Sequence, residues 1–206
     1  QRGRIEQAVT RQRFGLETQG YGVVTLHRPV NVDGPETLQL LVNELVSVAK
    51  SVPLVFAAHP RTRKRLERFA LVEMLVGAPG LHLVDPMGYI EFMSLVREAR
   101  LVITDSGGIQ EETTYLNIPC ITVRDTTERP ITVTQGTNRL VRPDGVYDAV
   151  KEVIAGNWPT ARCPDLWDGE TASRVVRSLK DRLLRPTESH KMPSPIRPGH
   201  QRSQAE

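Results

Sequence analysis

Leu101-Val102-Ile103-Thr104-Asp105-Ser106-Gly107-Gly108-Ile109-Gln110-Glu111-Glu112 is the stretch on which the reading of this chain turns. Its first three residues form an apolar, β-favouring run, and the residues beyond Gly108 suit a helix. A strand that breaks at Ser106-Gly107-Gly108 and turns straight into a helix leaves backbone N–H groups unpaired at the helix N-terminus. Those donors, with the positive end of the helix dipole, favour a phosphate or diphosphate. Glycine at 107 and 108 keeps side chains out of an anion's path to the backbone. Glu112 lies about one helical turn beyond Gly108, a spacing suited to reaching a sugar hydroxyl beside a bound phosphate. The same stretch also reads as a strand, an N-cap and a tight turn without a ligand, because a short Gly-rich turn is a weak motif.

A second segment lies close downstream. Cys120-Ile121-Thr122-Val123 is another apolar run, and it leads into Arg124-Asp125-Thr126-Thr127-Glu128-Arg129-Pro130. Such a cluster of charge and hydroxyl at the C-terminal end of a strand sits where open parallel sheets bind ligands. Arg129 has the fork geometry for a phosphate, and the threonines can donate to it. Read alone, the segment has a second reading as a solvated loop with internal Arg–Glu pairs.

Working outward, strand and helix signals alternate. Strands are expected at residues 23–26, 54–58 and 81–84, and before Ser106 and Arg124. Helices are expected at residues 2–14, 35–49, 61–75, 89–97, 144–154 and 172–184. Pro35 fits a first helical turn, where its missing N–H costs nothing. This alternation predicts an α/β fold, a parallel sheet with helices on both faces. From Arg185 the pattern fails. Pro186, Pro193, Pro195 and Pro198 stand among serine, histidine and basic residues, which predicts a disordered tail over 185–206.

Composition sets the outer bounds. The chain has 206 residues, 39% hydrophobic and 25% charged, enough for one well-buried core. A formal charge of +3, scattered basic residues and 5% aromatics argue against a nucleic-acid surface. Cys120 and Cys163 give neither a disulfide framework nor metal-ligand spacing, so no metal is expected. The absence of a long apolar run predicts no membrane span, and a cytoplasmic location is expected. The chain begins at Gln1, so a targeting segment further upstream would not be visible.

With these residues in view, a resemblance can be named. The chain resembles the C-terminal half of a non-hydrolysing UDP-N-acetylglucosamine 2-epimerase. The blocks that carry it occur in the family's order. They are Thr25-Leu26-His27-Arg28-Pro29-Val30-Asn31-Val32-Asp33, Ala58-His59-Pro60, and Asp85-Pro86-Met87-Gly88-Tyr89-Ile90-Glu91-Phe92, followed by residues 104–112, 124–130 and Gly136-Thr137-Asn138-Arg139-Leu140-Val141. The resemblance implies a Rossmann-like domain, the C-terminal one of a two-domain GT-B-type fold. It implies a connecting helix from a missing N-terminal domain over residues 1–20 and a UDP-binding domain over 21–184.

The resemblance also assigns roles. On their own, His27 and Arg28 read as a capped, half-buried pair as readily as a site. The family implies that His27 contacts the nucleotide and assists catalysis. Substrate binding is implied for Arg28, Met87, Phe92, Ser106, Gly107, Gly108, Glu112 and Arg129. Phe92, by itself a core residue, is expected near the uracil, with the backbone around Met87 reading the base edge. His59, by itself a loop histidine, and Arg28 are implied in holding a second UDP-N-acetylglucosamine that activates bacterial relatives. Two departures stand out: Pro29-Val30-Asn31 lacks the family's usual glutamate, and Met87 replaces a frequent glutamine.

The implied chemistry eliminates UDP across C1–C2 to give a 2-acetamidoglucal, then adds UDP back with the proton delivered to the other face. No cofactor is needed. The carboxylates for that proton transfer come from the family's N-terminal domain, so this chain alone is expected to bind UDP weakly and not to epimerise. No nucleic-acid or membrane partner is expected, and the family is commonly homodimeric. Competing readings are a hydrolysing epimerase, the nucleotide-sugar half of a GT-B glycosyltransferase, and a non-catalytic UDP-sugar binding module.

Overall fold

The computed structural model describes residues 1–159 and 163–184. The expected tail, 185–206, lies outside the described residues. Among those described, six strands form one parallel sheet in the order β3-β2-β1-β4-β5-β6. They are β1 (Gly22–Thr25), β2 (Leu54–Ala57), β3 (Leu81–Val84), β4 (Leu101–Thr104), β5 (Cys120–Val123) and β6 (Asn138–Val141). The chain winds from β1 to β2 to β3 on one side, then returns to lay β4 against the free side of β1. Strand order therefore reverses between β1 and β4, where Thr25 pairs with Thr104. The C-terminal ends of strands at such a reversal are where open parallel sheets bind ligands.

Both faces of the sheet are covered, as parallel strands require. Val24, Leu54, Phe56, Ile103, Ile121 and Val123 point to one face, with Leu38, Leu41, Val42, Leu45 and Val48 of α3 (Pro35–Ala49) and Val146, Val150 and Val153 of α9 (Val146–Ile154). Val23, Val55 and Val102 point to the other, with Met93, Leu95 and Val96 of α6 (Tyr89–Glu98). The helical stripe of α3 matches its sequence periodicity, Gly34 and Pro35 open it, and Leu41 is fully buried. Truncating such a leucine to alanine costs about 2–5 kcal/mol.

The remaining helices are α1 (Arg2–Gln7), α2 (Pro29–Val32), α4 (Pro60–Arg68), α5 (Val72–Val76), α7 (Gly107–Leu116), α8 (Pro130–Thr134) and α10 (Thr171–Leu184), with short 3₁₀ turns at Thr10–Phe14 and Pro143–Gly145. Two expected helices are corrected. Residues 2–14 divide at Ala8, whose backbone is extended, so that the following 3₁₀ turn can bury Thr10 against Ser94 of α6, hydroxyl to hydroxyl at 2.7 Å. Residues 61–75 divide at Ala70, which takes φ +55°. A continuous helix would set Leu66 and Leu71 about 140° apart, whereas the break buries both, with Leu75. β6, α2 and α8 are additions to the sequence reading.

Gln1–Trp167 form one compact unit, and a second begins at Asp168. Within the second, the Asp168 carboxylate accepts from Arg174 at 2.7 and 2.9 Å and from the Glu170 backbone at 3.0 Å, and α10 follows.

Candidate functional site

The sheet brings three loops together at the C-terminal ends of adjacent strands. His27 and Arg28 follow β1, Asp105 and Ser106 follow β4, and residues 124–129 follow β5. Asp105, to which the sequence reading gave no role, is the hub. It is wholly buried. Its Oδ1 lies 2.8 Å from His27 Nδ1, and the His27 backbone N–H donates to both oxygens at 3.1 Å. Oδ2 also accepts from the Arg28 backbone at 2.9 Å and from Asn31 Nδ2 at 3.0 Å. Arg28 Nε donates to the Asp105 carbonyl at 2.9 Å. Burial pushes the Asp105 carboxyl up, but hydrogen bonds from His27, the Arg28 backbone and Asn31 outweigh it and hold the group below the usual aspartate range. Asn31 spans β1 and β5 by donating also to the Val123 carbonyl at 3.0 Å.

Beside this hub stands the N-terminus of α7. Ser106 is the N-cap residue, yet its side chain makes no capping bond, so the first-turn amides face outward without one. The two glycines differ. A Cβ on Gly108 meets nothing within 4 Å, whereas one on Gly107 lies 2.7 Å from Glu128 Oε1. Gly107 is thus small in this structure to admit the Glu128 carboxylate, and the open approach to the helix is at Gly108. Glu128 is held by Arg124 at 2.6 Å and Arg28 at 3.2 Å. The Arg124 guanidinium, foremost, holds the Glu128 carboxyl down at about 2. Arg124 Nη1 is buried without a hydrogen-bond partner. A hollow of about 310 Å³ opens here, lined in part by Arg28, Asn31, Arg124 and Thr126.

Arg129 ends the same loop, its Nε 2.9 Å from Glu111 Oε1, an ion pair without hydrogen-bond alignment. The loop is tied to the first turn of α7 by Gln110, which accepts from Thr127 Oγ1 at 2.6 Å and donates to the Ser106 carbonyl at 3.2 Å. One turn on, Glu112 accepts from the Tyr89 hydroxyl at 3.1 Å. Burial raises the Glu112 carboxyl, against the lowering effect of that hydrogen bond.

His59, after β2, has its ring centroid 5.9 Å from that of His27. Its Nδ1 accepts from the Arg61 backbone at 3.2 Å. Met87 and Phe92 are half-buried against the core of the α6 face. Tyr89, between them in sequence, links that segment to Glu112. The candidate residues therefore gather along one sheet edge, with Met87 and Phe92 at its α6 side. Asp105, Asn31, Gln110, Tyr89 and Glu128 are the additions. A carboxylate after an apolar strand was the one visible signal for Asp105.

This edge can be compared with known proteins. A family profile described as UDP-N-acetylglucosamine 2-epimerase matches residues 1–180. The chain belongs to the UDP-N-acetylglucosamine 2-epimerase family. It is 39% identical over 165 residues to the UDP-N-acetylglucosamine 2-epimerase of Methanocaldococcus jannaschii, covering 77% of this chain and 44% of that protein. It is 42% identical over 176 residues to UDP-2,3-diacetamido-2,3-dideoxy-D-glucuronate 2-epimerase of Pseudomonas aeruginosa, covering 81% and 46%. Among solved structures, it resembles the M. jannaschii epimerase in complex with UDP-GlcNAc and UDP, with TM-score 0.72 and 36% identity over 86% of this chain and 50% of that one. This epimerase-family chain spans about half the length of the curated relatives it matches. No helix among its described residues is long and apolar enough to cross a membrane.

Proposed function

We propose that this chain is the UDP-binding portion of an enzyme that interconverts UDP-N-acetylglucosamine and UDP-N-acetylmannosamine. The observation that carries the proposal is the meeting, at the β1/β4 reversal, of an uncapped helix N-terminus with His27, Arg28 and Arg129. The amides of Gly107 and Gly108, the Ser106 hydroxyl and the guanidinium of Arg129 hold the diphosphate. Glu112, its carboxylate already accepting one hydroxyl from Tyr89, accepts from the ribose. Phe92 lies against the uracil, and the backbone at Met87 reads its edge. Arg28 and His59 contribute to a second nucleotide-sugar site.

The reaction breaks C2–H, passing the proton to a base, while the C1–O bond breaks and UDP leaves with the electron pair. A C1=C2 bond forms. UDP then returns to C1 as a proton reaches the opposite face of C2. The anion seat on α7 supports both halves by stabilising charge on the departing diphosphate. His27 assists this transfer. The carboxylates that the family chemistry uses at the sugar belong to the N-terminal domain, so this chain alone binds UDP without turnover.

A specific observation supports a second substrate reading: the 42% identity to an epimerase of a diacetamido-glucuronate. The test follows the C2 proton of each UDP-sugar by NMR in deuterated buffer with the chain added. Broadened uracil and ribose signals without C2 exchange are expected. Epimerised product from the chain alone overturns the division of labour, free N-acetylmannosamine supports a hydrolysing enzyme, and unbroadened signals refute UDP binding.

A further inference from the structure

We infer that Asp105 is a positioning residue for His27, fixing which imidazole nitrogen the ligand meets. The inference rests on the reading of this edge as a UDP-sugar site, and it begins from hydrogen-bond inventory. Every group that faces the Asp105 carboxylate is a donor: two backbone N–H groups, the Asn31 amide and His27 Nδ1. An ionised carboxylate only accepts, so Nδ1 must carry a hydrogen. Neutral His27 is thereby held as the Nδ1–H tautomer, and its bare nitrogen is Nε2. Nε2 has no partner among the described residues, and the side chain is 40% exposed at the sheet edge. It can accept a proton from a ligand. Once it has done so, the buried carboxylate 2.8 Å from Nδ1 stabilises the imidazolium beside a diphosphate.

Anchoring the β1–α2 turn is the competing explanation for Asp105, and it accounts for the bonds to the two backbone N–H groups and to Asn31. It does not require the imidazole. Nor does a turn require Arg28 Nε to hold the Asp105 main-chain carbonyl, or the Asn31 amide on the carboxylate to be fixed in turn to the Val123 carbonyl of β5. With the His27 and Arg28 backbone N–H groups, the Asn31 bond holds the carboxylate in place as an acceptor for Nδ1, which keeps the ring from its other tautomer. His59 supplies an internal contrast. Its Nδ1 accepts from the Arg61 N–H, so its hydrogen sits on Nε2. Two histidines whose rings stand 5.9 Å apart are therefore held in opposite tautomers.

The test uses the full 206-residue chain labelled with ¹⁵N-histidine, with long-range proton–nitrogen correlations recorded where the imidazoles are neutral. His27→Gln and His59→Gln assign the signals. His27 is expected as Nδ1–H and His59 as Nε2–H. An Nε2–H tautomer for His27 in the unsubstituted chain overturns the inference, whatever the variants do. Asp105→Asn is expected to give a mixture of His27 tautomers, and an unchanged tautomer in a folded variant also overturns it. A double-mutant cycle on UDP affinity then separates positioning from scaffolding. Asp105→Asn and His27→Gln each weaken UDP binding roughly 10-fold, and the double variant no more than His27→Gln alone. Additive losses would mean that Asp105 acts through the turn and not through His27. If UDP fails to bind the unsubstituted chain, the functional reading fails, while the tautomer still decides the inference.

Discussion

Replacing Gly108 with alanine separates what this residue does for the fold from what it does for a ligand. Gly108 is in the first turn of α7 with ordinary helical backbone, and an added Cβ meets nothing within 4 Å. The substitution therefore carries no steric cost in the ligand-free chain. Alanine also has less conformational freedom to lose on folding, a gain of about 0.4–1 kcal/mol. For a folded unit of this size that raises the Tm by about 1–4 °C. The same Cβ fills the open approach to the helix N-terminus, where we place the diphosphate. Losing one charge-assisted backbone contact costs about 1.5–3 kcal/mol, or roughly a 10- to 100-fold weaker Kd for UDP. Calorimetric titration and thermal unfolding on one preparation read both effects. A higher Tm with an unchanged Kd refutes the anion seat, and a lower Tm refutes the reading of open space.

The other predictions address the surrounding fold. Gly136→Ala sets a Cβ 2.5 Å from both Thr114 Oγ1 and the Thr132 carbonyl. Overpacking of that kind costs about 1–3 kcal/mol, so the Tm falls by about 2–12 °C, and an unchanged Tm shows the contact to be illusory. Thiol labelling of the native chain near pH 8 is expected to modify Cys163, which is exposed, and to spare Cys120, whose thiol burial pushes up to about 11; modification of both without unfolding contradicts the placement of β5. Asp105 titrates below its ordinary range when folded, so its stabilisation is complete above the unfolded pKa and is lost as pH falls through the folded one. The Tm gap between the unsubstituted chain and Asp105→Asn thus narrows below about pH 4. A gap that stays constant to the acid limit rules out that coupling.

Much of this architecture was legible because long apolar periodicity survives any context. α3 shows its buried leucines and valines at helical spacing, and five strands are apolar runs. What escaped did so for local reasons. β6 reads Asn-Arg-Leu-Val and is an edge strand, in which Asn138 is buried by bonds to Gln110 and Thr132 and Arg139 lies 4.2 Å over the Trp158 ring. Tertiary partners, absent from the local pattern, make it a strand. The break at Ala70 carries no glycine or proline to announce it. At the site, Ser106, Gly107 and Gly108 were visible as a strand-to-helix turn. Asp105 was not, because its meaning depends on β1 lying beside β4, a neighbourhood that sequence order conceals. Gly107 shows the limit of a motif from the other direction: the group it makes room for is Glu128 of this same chain.

The central claim is that the C-terminal edge of β1, β4 and β5 is a UDP site. Titrating UDP into the ¹⁵N-labelled chain and following its amide signals tests that most directly. Saturable shifts are expected, centred on Ser106, Gly107 and Gly108 and extending to His27, Glu112 and Arg129. Signals that stay in place at saturating UDP, or shifts confined to another surface, contradict it.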